Sequence, residues 1–266
     1  MSRGLGLAYQ LGGLAAIAQR DVLKLVRDRS RLAVNLAFPL LLVAGLGNLL
    51  QPTVGLVTGL NAVTLSFTGV LAATLFQSAA AGMISIVEDR ETDFAQVLFV
   101  TPVARMTLIA GKVCGECLVA LVQAACVLAF ALAIGVSMPA AKVALLIPAC
   151  LASCLLGAAF GLVTIAVLPT QRSAMQVFQF LIIPQYVLAG VLVPLRGSAA
   201  WLRAVSLAMP LRYVVDLTRA AYYAGTSGYR EAVIGNPAVD AVVAAGLLAV
   251  LMTAGGLVFG YRERTR

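Results

Sequence analysis

The residues best suited to recognition lie in one charged run followed by apolar side chains, between residues 88 and 102. The run contains Glu88, Asp89, Arg90 and Glu91, and it is followed by Phe94, Val97, Leu98 and Thr101. Acidic residues ahead of a short helix stabilise it, positions 94, 97 and 98 share one helical face, and Pro102 prevents continuation. The pattern predicts an apolar protrusion that binds a groove on a partner protein. The alternative is that Phe94 and Leu98 fold back onto a bilayer surface.

The side chains that several classes of enzyme require are missing from the sequence. It contains no histidine, which excludes Ser/His hydrolases and H-E-x-x-H metalloenzymes. Gly111-Lys112 lacks the preceding glycine of a P-loop and is followed by Val113, so the chain cannot bind nucleotide phosphates by that device. The five cysteines lie in or beside apolar stretches, where packing is favoured over metal binding. We predict no catalytic site, metal site or cofactor in this chain, and we assign any use of ATP and magnesium to a partner.

These residues belong to a strongly apolar chain of 266 residues, 61% hydrophobic and 11% charged, with a mean hydropathy of +0.98. Such a composition excludes a water-soluble enzyme. A membrane helix needs about 20 mainly apolar residues. We predict an all-α membrane protein with one transmembrane domain, 32–266, and six transmembrane helices, at about 32–50, 56–87, 108–136, 143–168, 174–195 and 239–260.

Residues 1–31 predict an N-terminal amphipathic helix that lies in the membrane interface. Apolar residues recur every three or four positions, opposite a stripe made of Arg20, Lys24, Arg27 and Arg31. The simpler alternative is that these charges only set the orientation of the chain in the membrane.

No cleavable signal peptide is expected. Most Lys and Arg lie in this segment, after span 2 and at the C-terminus, which predicts that both termini are cytoplasmic. The net charge of +8 then reflects topology and contact with anionic lipid, with no nucleic acid.

Residues 196–239 connect spans 5 and 6 and are too apolar for a plain loop. Two short apolar stretches flank Met209-Pro210, and both are too short to cross a membrane. We predict two short re-entrant helices here, with Arg212 and Asp216 pairing one turn apart. Three aromatic residues of this region suit the belt at the membrane surface: Trp201, Tyr222 and Tyr223.

Three blocks of sequence resemble the permease subunits of type 2 ABC exporters, the ABC-2 type transporter family. The blocks are Glu88-Asp89-Arg90-Glu91-Thr92 with Val100-Thr101-Pro102-Val103 and Gly111-Lys112; Gly190-Val191-Leu192-Val193-Pro194 with Pro210-Leu211, Tyr213, Asp216 and Arg219; and Arg20-Asp21 with Arg27-Asp28. The resemblance covers nearly the whole chain in order. Met209 stands where the family commonly has asparagine, and Ala95 where an acidic residue is usual.

The resemblance implies a bacterial exporter subunit in the cytoplasmic membrane, in which two permeases, identical or paired with a sister, enclose a path above two ABC ATPase subunits. A coupling helix between spans 2 and 3, together with the interfacial helix, would contact the ATPases. The residues assigned to ATPase coupling are Glu88, Asp89, Arg90, Glu91, Phe94, Val97, Leu98, Thr101, Asp21 and Arg27. Spans 1, 2 and 5 would line the substrate path, with the candidates Asn35, Asn61, Gln77, Phe178, Phe180 and Tyr186.

The expected substrate is a hydrophobic or amphiphilic drug or lipid, because the candidate path residues are uncharged and partly aromatic; ordinary packing is the alternative for the aromatic ones. An ion- or proton-coupled transporter normally places a carboxylate near the middle of the bilayer. Here Lys112 and Glu116 are predicted to form an ion pair at the start of span 3, and Asp240 lies at the edge of span 6. Secondary transport is therefore less favoured, as is a membrane scaffold without transport.

Overall fold

The computed structural model describes residues 12, 15–16, 18–25, 27, 29–86, 105–168, 170–195 and 198–264. The described residues form helices and connecting turns, without a strand. A π-helical turn at Leu42–Leu46 joins the second helix to the third. The helices are α1 (18–25), α2 (Arg29–Leu41), α3 (Gly47–Thr58), α4 (Ala62–Ile84), α5 (Arg105–Ala133), α6 (Ala140–Val167), α7 (Gln171–Leu188), α8 (Ala200–Leu207), α9 (Pro210–Tyr223), α10 (Tyr229–Ala232) and α11 (Pro237–Arg264).

Five helical stretches of the described chain are long and apolar enough to cross a membrane, by length and composition. They are Leu36–Thr58, Ala62–Ile84, Ala110–Ala133, Ala140–Val167 and Tyr229–Val258. Each coincides with one of the six predicted spans. The remaining predicted span, 174–195, corresponds to α7, which ends at Leu188 and carries several glutamines along its length. Membrane crossing by α7, and therefore the full count of six, stays a prediction.

The boundary between the first two spans differs from the predicted one. The first helical stretch continues beyond residue 50 to Thr58, where Gly59 takes a left-handed conformation with φ 68° and ends the helix. Glycine adopts this conformation without steric penalty. Asn61 then caps α4, since its side-chain oxygen accepts a hydrogen bond from the Thr64 N–H at 3.1 Å. The second stretch consequently begins at Ala62 rather than at residue 56.

Helix α4 forms the centre of the bundle. In the most apolar stretch of this helix 83% is buried, compared with 11% in the corresponding stretch of the last candidate span. The main neighbours of α4 are α5, α6 and α9. Gly157 and Gly161 of α6 face α4 so closely that a Cβ on either glycine would collide with the backbone of Phe76 or Ala80. Small residues let helix backbones approach in a membrane. The G-x-x-x-G spacing at this position is thus a packing contact between α4 and α6.

Candidate functional site

The predicted coupling segment is not part of the described structure. Its predicted ATPase-contacting residues all lie between residues 87 and 104, outside the described ranges: Glu88, Asp89, Arg90, Glu91, Phe94, Val97, Leu98 and Thr101. Their contact with an ATPase stays a prediction. The described chain resumes at Arg105, where α5 begins, so the helix directly after this segment is part of the described structure.

Two turns into α5 lies a buried group of charges that we call the N-terminal ion cluster (Asp21, Lys112 and Glu116). The Lys112 Nζ lies 3.1 Å from Asp21 Oδ2 and 2.8 Å from Glu116 Oε1. All three side chains are 7% exposed or less. The predicted pairing of Lys112 with Glu116 is confirmed, and Asp21 from α1 joins it.

The helices leave room for this cluster at two glycines. A Cβ at Gly82 of α4 would collide with the Glu116 carboxylate, and one at Gly115 of α5 would lie 3.0 Å from Asp21 Oδ2 and 3.1 Å from the Ala18 Cα. Glycine permits such a close approach of another chain segment. The cluster therefore ties α1 to α5, the helix that begins directly after the predicted coupling segment.

The two N-terminal residues assigned to ATPase coupling have different surroundings. Asp21 is 4% exposed and also accepts a hydrogen bond from Arg20 Nη2 at 3.0 Å, whereas Arg27 is exposed. A contact of either with an ATPase stays a prediction. Beside the ion cluster lies a polar cavity of about 50 Å³, lined among others by Lys24, Ser78 and Gln123.

The candidate path residues separate into distinct environments. Tyr186 of α7 donates a hydrogen bond to Gln77 of α4 at 3.1 Å, and its ring lies edge-on to Phe38 with centroids 6.2 Å apart. Three helices from predicted spans 1, 2 and 5 therefore meet at this point. Phe178 instead lies in the core, fully buried, and Phe180 is 77% exposed.

Two asparagines complete the set of candidate path residues. Asn61 serves as the N-cap of α4, as described above, and is exposed. Asn35 lies within α2, and its side chain is outside the described part. The structure thus brings together Gln77 and Tyr186 of the six candidates and gives Asn61 a structural role.

One face of α7 is exposed and mixed in polarity. Gln176 and Gln179 lie on it with Phe180, Ile183 and Val187, all exposed. Amide side chains facing hydrocarbon have no hydrogen-bond partner, which is costly. The face suits a second permease or a hydrated path better than lipid. Sequence reasoning singled out Gln176 and Gln179 as polar residues suited to contact another helix or a substrate, and Phe180 as a path residue, but it did not combine them into one surface.

At the far end of the chain, α9 carries a fully buried cation. Arg219 is 0% exposed, and its Nη2 donates to the carbonyl oxygens of Gly190 at 2.6 Å and Val191 at 3.1 Å. A Cβ at Gly69 of α4 would collide with the Val191 carbonyl. Burial lowers the pKa of Arg219 to about 10, so it stays protonated at neutral pH. Arg219 therefore fixes the turn after α7 against α9.

The predicted pairing of Arg212 with Asp216 is wrong. Arg212 Nη1 donates to Ser206 Oγ of α8 at 3.0 Å, and Asp216 accepts hydrogen bonds from the backbone N–H groups of Ile234 and Gly235 at 2.9 and 2.6 Å. Two backbone donors satisfy a carboxylate as well as a flexible guanidinium does. Asp216 therefore anchors the turn between α10 and α11.

The aromatic residues of α9 also differ from the expectation of a membrane-surface belt. Trp201 is 67% exposed, but Tyr222 and Tyr223 are 3% and 6% exposed. Tyr222 donates a hydrogen bond to the carbonyl of Ser137 at 2.8 Å, and its ring lies edge-on to that of Phe67. These contacts with α4 and the turn before α6 draw Tyr222 into the protein, and the ring of Tyr223 packs against that of Tyr222.

A bundle of apolar helices, in which buried charges such as Lys112 and Asp216 are held in an ion pair or by backbone groups, supports a multi-pass membrane protein. Among the described residues no group of three or more His, Cys, Asp or Glu could hold a metal ion. The family described as ABC-2 type transporter matches residues 13–223, most of the chain. The chain belongs to this family and is a transmembrane permease component of an ABC transporter, not a catalytic domain. No curated protein matches the chain with significant similarity.

Permeases of this family generally work with ATPase subunits and dimerise. The match includes α1, the segment between α4 and α5, and the helices up to the end of α9. It therefore spans the regions predicted to contact the ATPases and most of the region predicted to contain the re-entrant helices.

Proposed function

We propose that this chain exports a hydrophobic or amphiphilic compound, drug or lipid-like, across the cytoplasmic membrane of a bacterium. Two ABC ATPase subunits that bind ATP and magnesium would drive it, and a second permease, a further copy or a sister chain, would complete the path. Both termini would lie in the cytoplasm, with six spans and two re-entrant helices, α8 and α9, on the outer side. Membership in the ABC-2 type transporter family is the observation that carries the proposal.

The surroundings of Tyr186 support an amphiphilic substrate. The hydrogen bond from Tyr186 to Gln77 and the ring of Phe38 place one polar pair and two aromatic rings where α2, α4 and α7 meet. Next to it, the exposed face of α7 presents amides and apolar side chains together. Sites with mainly apolar walls and a few polar groups suit small ligands of mixed character, whereas a sugar polymer requires many more hydrogen-bonding groups.

The N-terminal ion cluster supports transmission of motion from the ATPases. It ties α1 to α5 at a point two turns from the predicted coupling segment. A displacement of that segment would move α5 and α1 together, since separating them exposes buried charges. The proposed mechanism is that ATP-driven closure of the ATPases moves both helices as one body and changes which side of the path is open.

The test is transport by the permease reconstituted in vesicles with its partner ABC ATPase. We expect uptake or efflux of a fluorescent amphiphile to require ATP and to continue after an uncoupler collapses the proton gradient. Loss of transport with the uncoupler, or transport without the ATPase, would favour the proton-coupled alternative. A complex without substrate-stimulated ATP hydrolysis would favour a scaffold.

The coupling segment has its own test. Changing Phe94 and Leu98 together to Asp places two charges on the face proposed to enter the ATPase groove, so the ATPase is expected to be lost on co-purification while the permease still inserts. The variant Ala95→Asp with Gln96→Asp adds the same charge off that face and serves as the control. Equal retention of the ATPase by both variants would contradict the proposed contact.

A further inference from the structure

The first candidate span, Leu36–Thr58, is not one regular α-helix. Its two parts, α2 and α3, are joined by the π-helical turn Leu42–Leu46, which is closed by a hydrogen bond from the Gly47 N–H to the Leu42 carbonyl. Pro39 lies inside α2 shortly before this turn, and a proline within a helix removes one of its backbone hydrogen bonds. Prolines and π turns are common causes of bends in helices. Two such interruptions therefore lie close together in this span.

The π turn is stabilised by a polar side chain but is not tightly packed at its exposed glycine. Asn48 Nδ2 donates a hydrogen bond to the Ala44 carbonyl at 2.7 Å. Irregular helical turns are tolerated in a membrane where such contacts satisfy polar groups. Gly45 is exposed, and a Cβ at this position would meet nothing within 4 Å. Because glycine has no Cβ, the backbone of the turn can change its φ and ψ angles there at little cost.

Helix α3, on one side of the π turn, is fixed to the central helix α4. A Cβ on Gly47 would lie 2.9 Å from the Val63 Cα, so the two backbones are in close contact where α3 begins. The Gln51 Oε1 accepts a hydrogen bond from the Ala62 N–H at 2.7 Å, and Val54 is buried in the shared core. These contacts with α4 extend along most of α3, so we expect α3 and α4 to move together.

Helix α2, on the other side of the π turn, contacts different helices. Apart from the turn itself it packs mainly against α5, the helix that the N-terminal ion cluster ties to α1. The ring of Phe38 lies edge-on to that of Tyr186 of α7, and Phe38 is 53% exposed, so the core does not enclose it. A displacement of α1 and α5 is therefore transmitted to α2 and not directly to α3.

A straight α-helix could not follow α5 at one end and stay on α4 at the other. We propose that the π turn is a hinge of the first span: α2 swings with α1 and α5, α3 stays on α4, and the swing moves the ring of Phe38 relative to Tyr186. This inference rests on the proposed function, in which the ATPases move α1 and α5. The hinge makes the surroundings of the hydrogen bond between Tyr186 and Gln77 depend on the state of the ATPases.

Helix α11 provides a fixed reference against which a swing of α2 can be measured. A Cβ on Gly255 of α11 would lie 3.2 Å from the Val163 backbone nitrogen of α6, so these two helices are in close contact. Helix α6 in turn packs against α4 through Gly157 and Gly161. Helices α3, α4, α6 and α11 are therefore expected to behave as one body.

The test measures two distances between spin labels by electron paramagnetic resonance, in the full chain bound to its ATPase. The hinge pair joins Ala33 of α2 to Leu257 of α11, and the reference pair joins Leu56 of α3 to Val242 of α11; all four residues are exposed. The native cysteines are replaced by alanine for both pairs. Labelled chains are diluted with unlabelled ones, so that only distances within one chain are recorded.

The distance of the hinge pair should differ between the nucleotide-free and the ATP-trapped complex. The arm of α2 from residue 33 to the middle of the turn is about 16 Å long, so a bend of about 20° moves its end by up to about 6 Å. The reference pair should keep its distance. A hinge pair that does not change, or a reference pair that changes as much as the hinge pair, would overturn the proposal.

A variant of the turn tests whether the bend is needed for transport. Gly45→Ala introduces no clash, but it restricts the backbone and favours a regular α-helix. It should keep the bound ATPase and the melting midpoint, while the change in the hinge-pair distance and the transport rate both fall several-fold. Gly246→Ala makes the same change in α11, also with nothing within 4 Å of the new Cβ, and should alter neither. Transport by Gly45→Ala at the natural rate would overturn the hinge.

Failure of the hinge and failure of the proposed function give different results. ATP-driven transport with a constant hinge-pair distance would refute the hinge and leave the exporter in place. Transport without ATP would refute the proposed function, but a hinge-pair distance that is more broadly distributed than the reference distance in the permease alone, and that narrows in Gly45→Ala, would still support a hinge at the π turn.

Discussion

Removing the lysine of the N-terminal ion cluster should destabilise the protein more than removing the whole pair to which it belongs. Lys112→Met leaves Glu116 and Asp21 buried without the shared cation, which lies 2.8 and 3.1 Å from them. Removing one partner of a buried ion pair costs about 3 to 5 kcal/mol. Arg20 remains 3.0 Å from Asp21 and still compensates its charge. We therefore expect a loss of stability at the lower end of this range, about 3 kcal/mol, which corresponds to a fall of about 6 to 12 °C in the melting midpoint.

The second variant separates charge from packing. Lys112→Met combined with Glu116→Gln removes both charges of α5 from the cluster, and the midpoint should return most of the way to that of the natural protein. Arg172→Met removes a cation from an exposed position of α7 and should change the midpoint by about 1 °C or less, since exposed charges contribute little. The assay is size-exclusion chromatography of the heated, detergent-solubilised full chain.

Two outcomes would refute this reasoning. Lys112→Met could melt with the natural protein, which would mean that the cluster is hydrated and its charges are not held in a low-dielectric site. Alternatively, the double variant could melt no higher than Lys112→Met, which would mean that the lysine acts through packing of its methylene chain and not through its charge.

Further predictions concern the helix contacts and the buried arginine. Gly161→Ala should lower stability by about 1 to 3 kcal/mol, because the new methyl group collides with the Ala80 backbone. Gly246→Ala is the control and should not lower stability, because nothing lies within 4 Å of a Cβ at that position. Equal melting midpoints of the two variants would contradict the close packing of α4 and α6. Arg219→Met leaves two carbonyl groups without a donor and should lower the free energy of unfolding by about 1 to 3 kcal/mol. Arg203→Met removes an exposed arginine and should change it little. An unchanged midpoint for Arg219→Met would show that desolvation of the guanidinium offsets its two hydrogen bonds.

The membrane-helix character of this protein could be predicted because it depends on local properties. Length and apolar composition of a segment decide whether it can cross a bilayer, and five of the predicted spans coincide with helices of that kind. The residue pairs that were predicted well are also local: Lys112 and Glu116 lie one turn apart on α5 and are paired. Spacing along one helix predicted this contact, but the same spacing on α9 did not pair Arg212 with Asp216, because both side chains have partners from other segments.

The contacts between helices were beyond the sequence. Asp21 was placed with Arg27 among the residues that contact an ATPase because of the resemblance of the N-terminal segment to the interfacial helix of the family. In the structure Asp21 lies within the protein, next to Lys112. Likewise Phe178 and Phe180, both assigned to the path, point to opposite surroundings. Helical periodicity tells which residues share a face, but not which other helix covers it.

The sequence by itself determined that this is a helical membrane protein without a nucleotide-binding loop, and its blocks of acidic, glycine and proline residues indicated the ABC-2 type family that the comparison shows. Only the tertiary structure decided which partners the buried charges have: Lys112 for Asp21, and the backbone N–H groups of Ile234 and Gly235 for Asp216. The physical reason is that burial of a charge requires compensation from any neighbour within a few ångströms. That neighbour is chosen by how helices distant in the chain pack, through glycines such as Gly115 and Gly161 that let them approach.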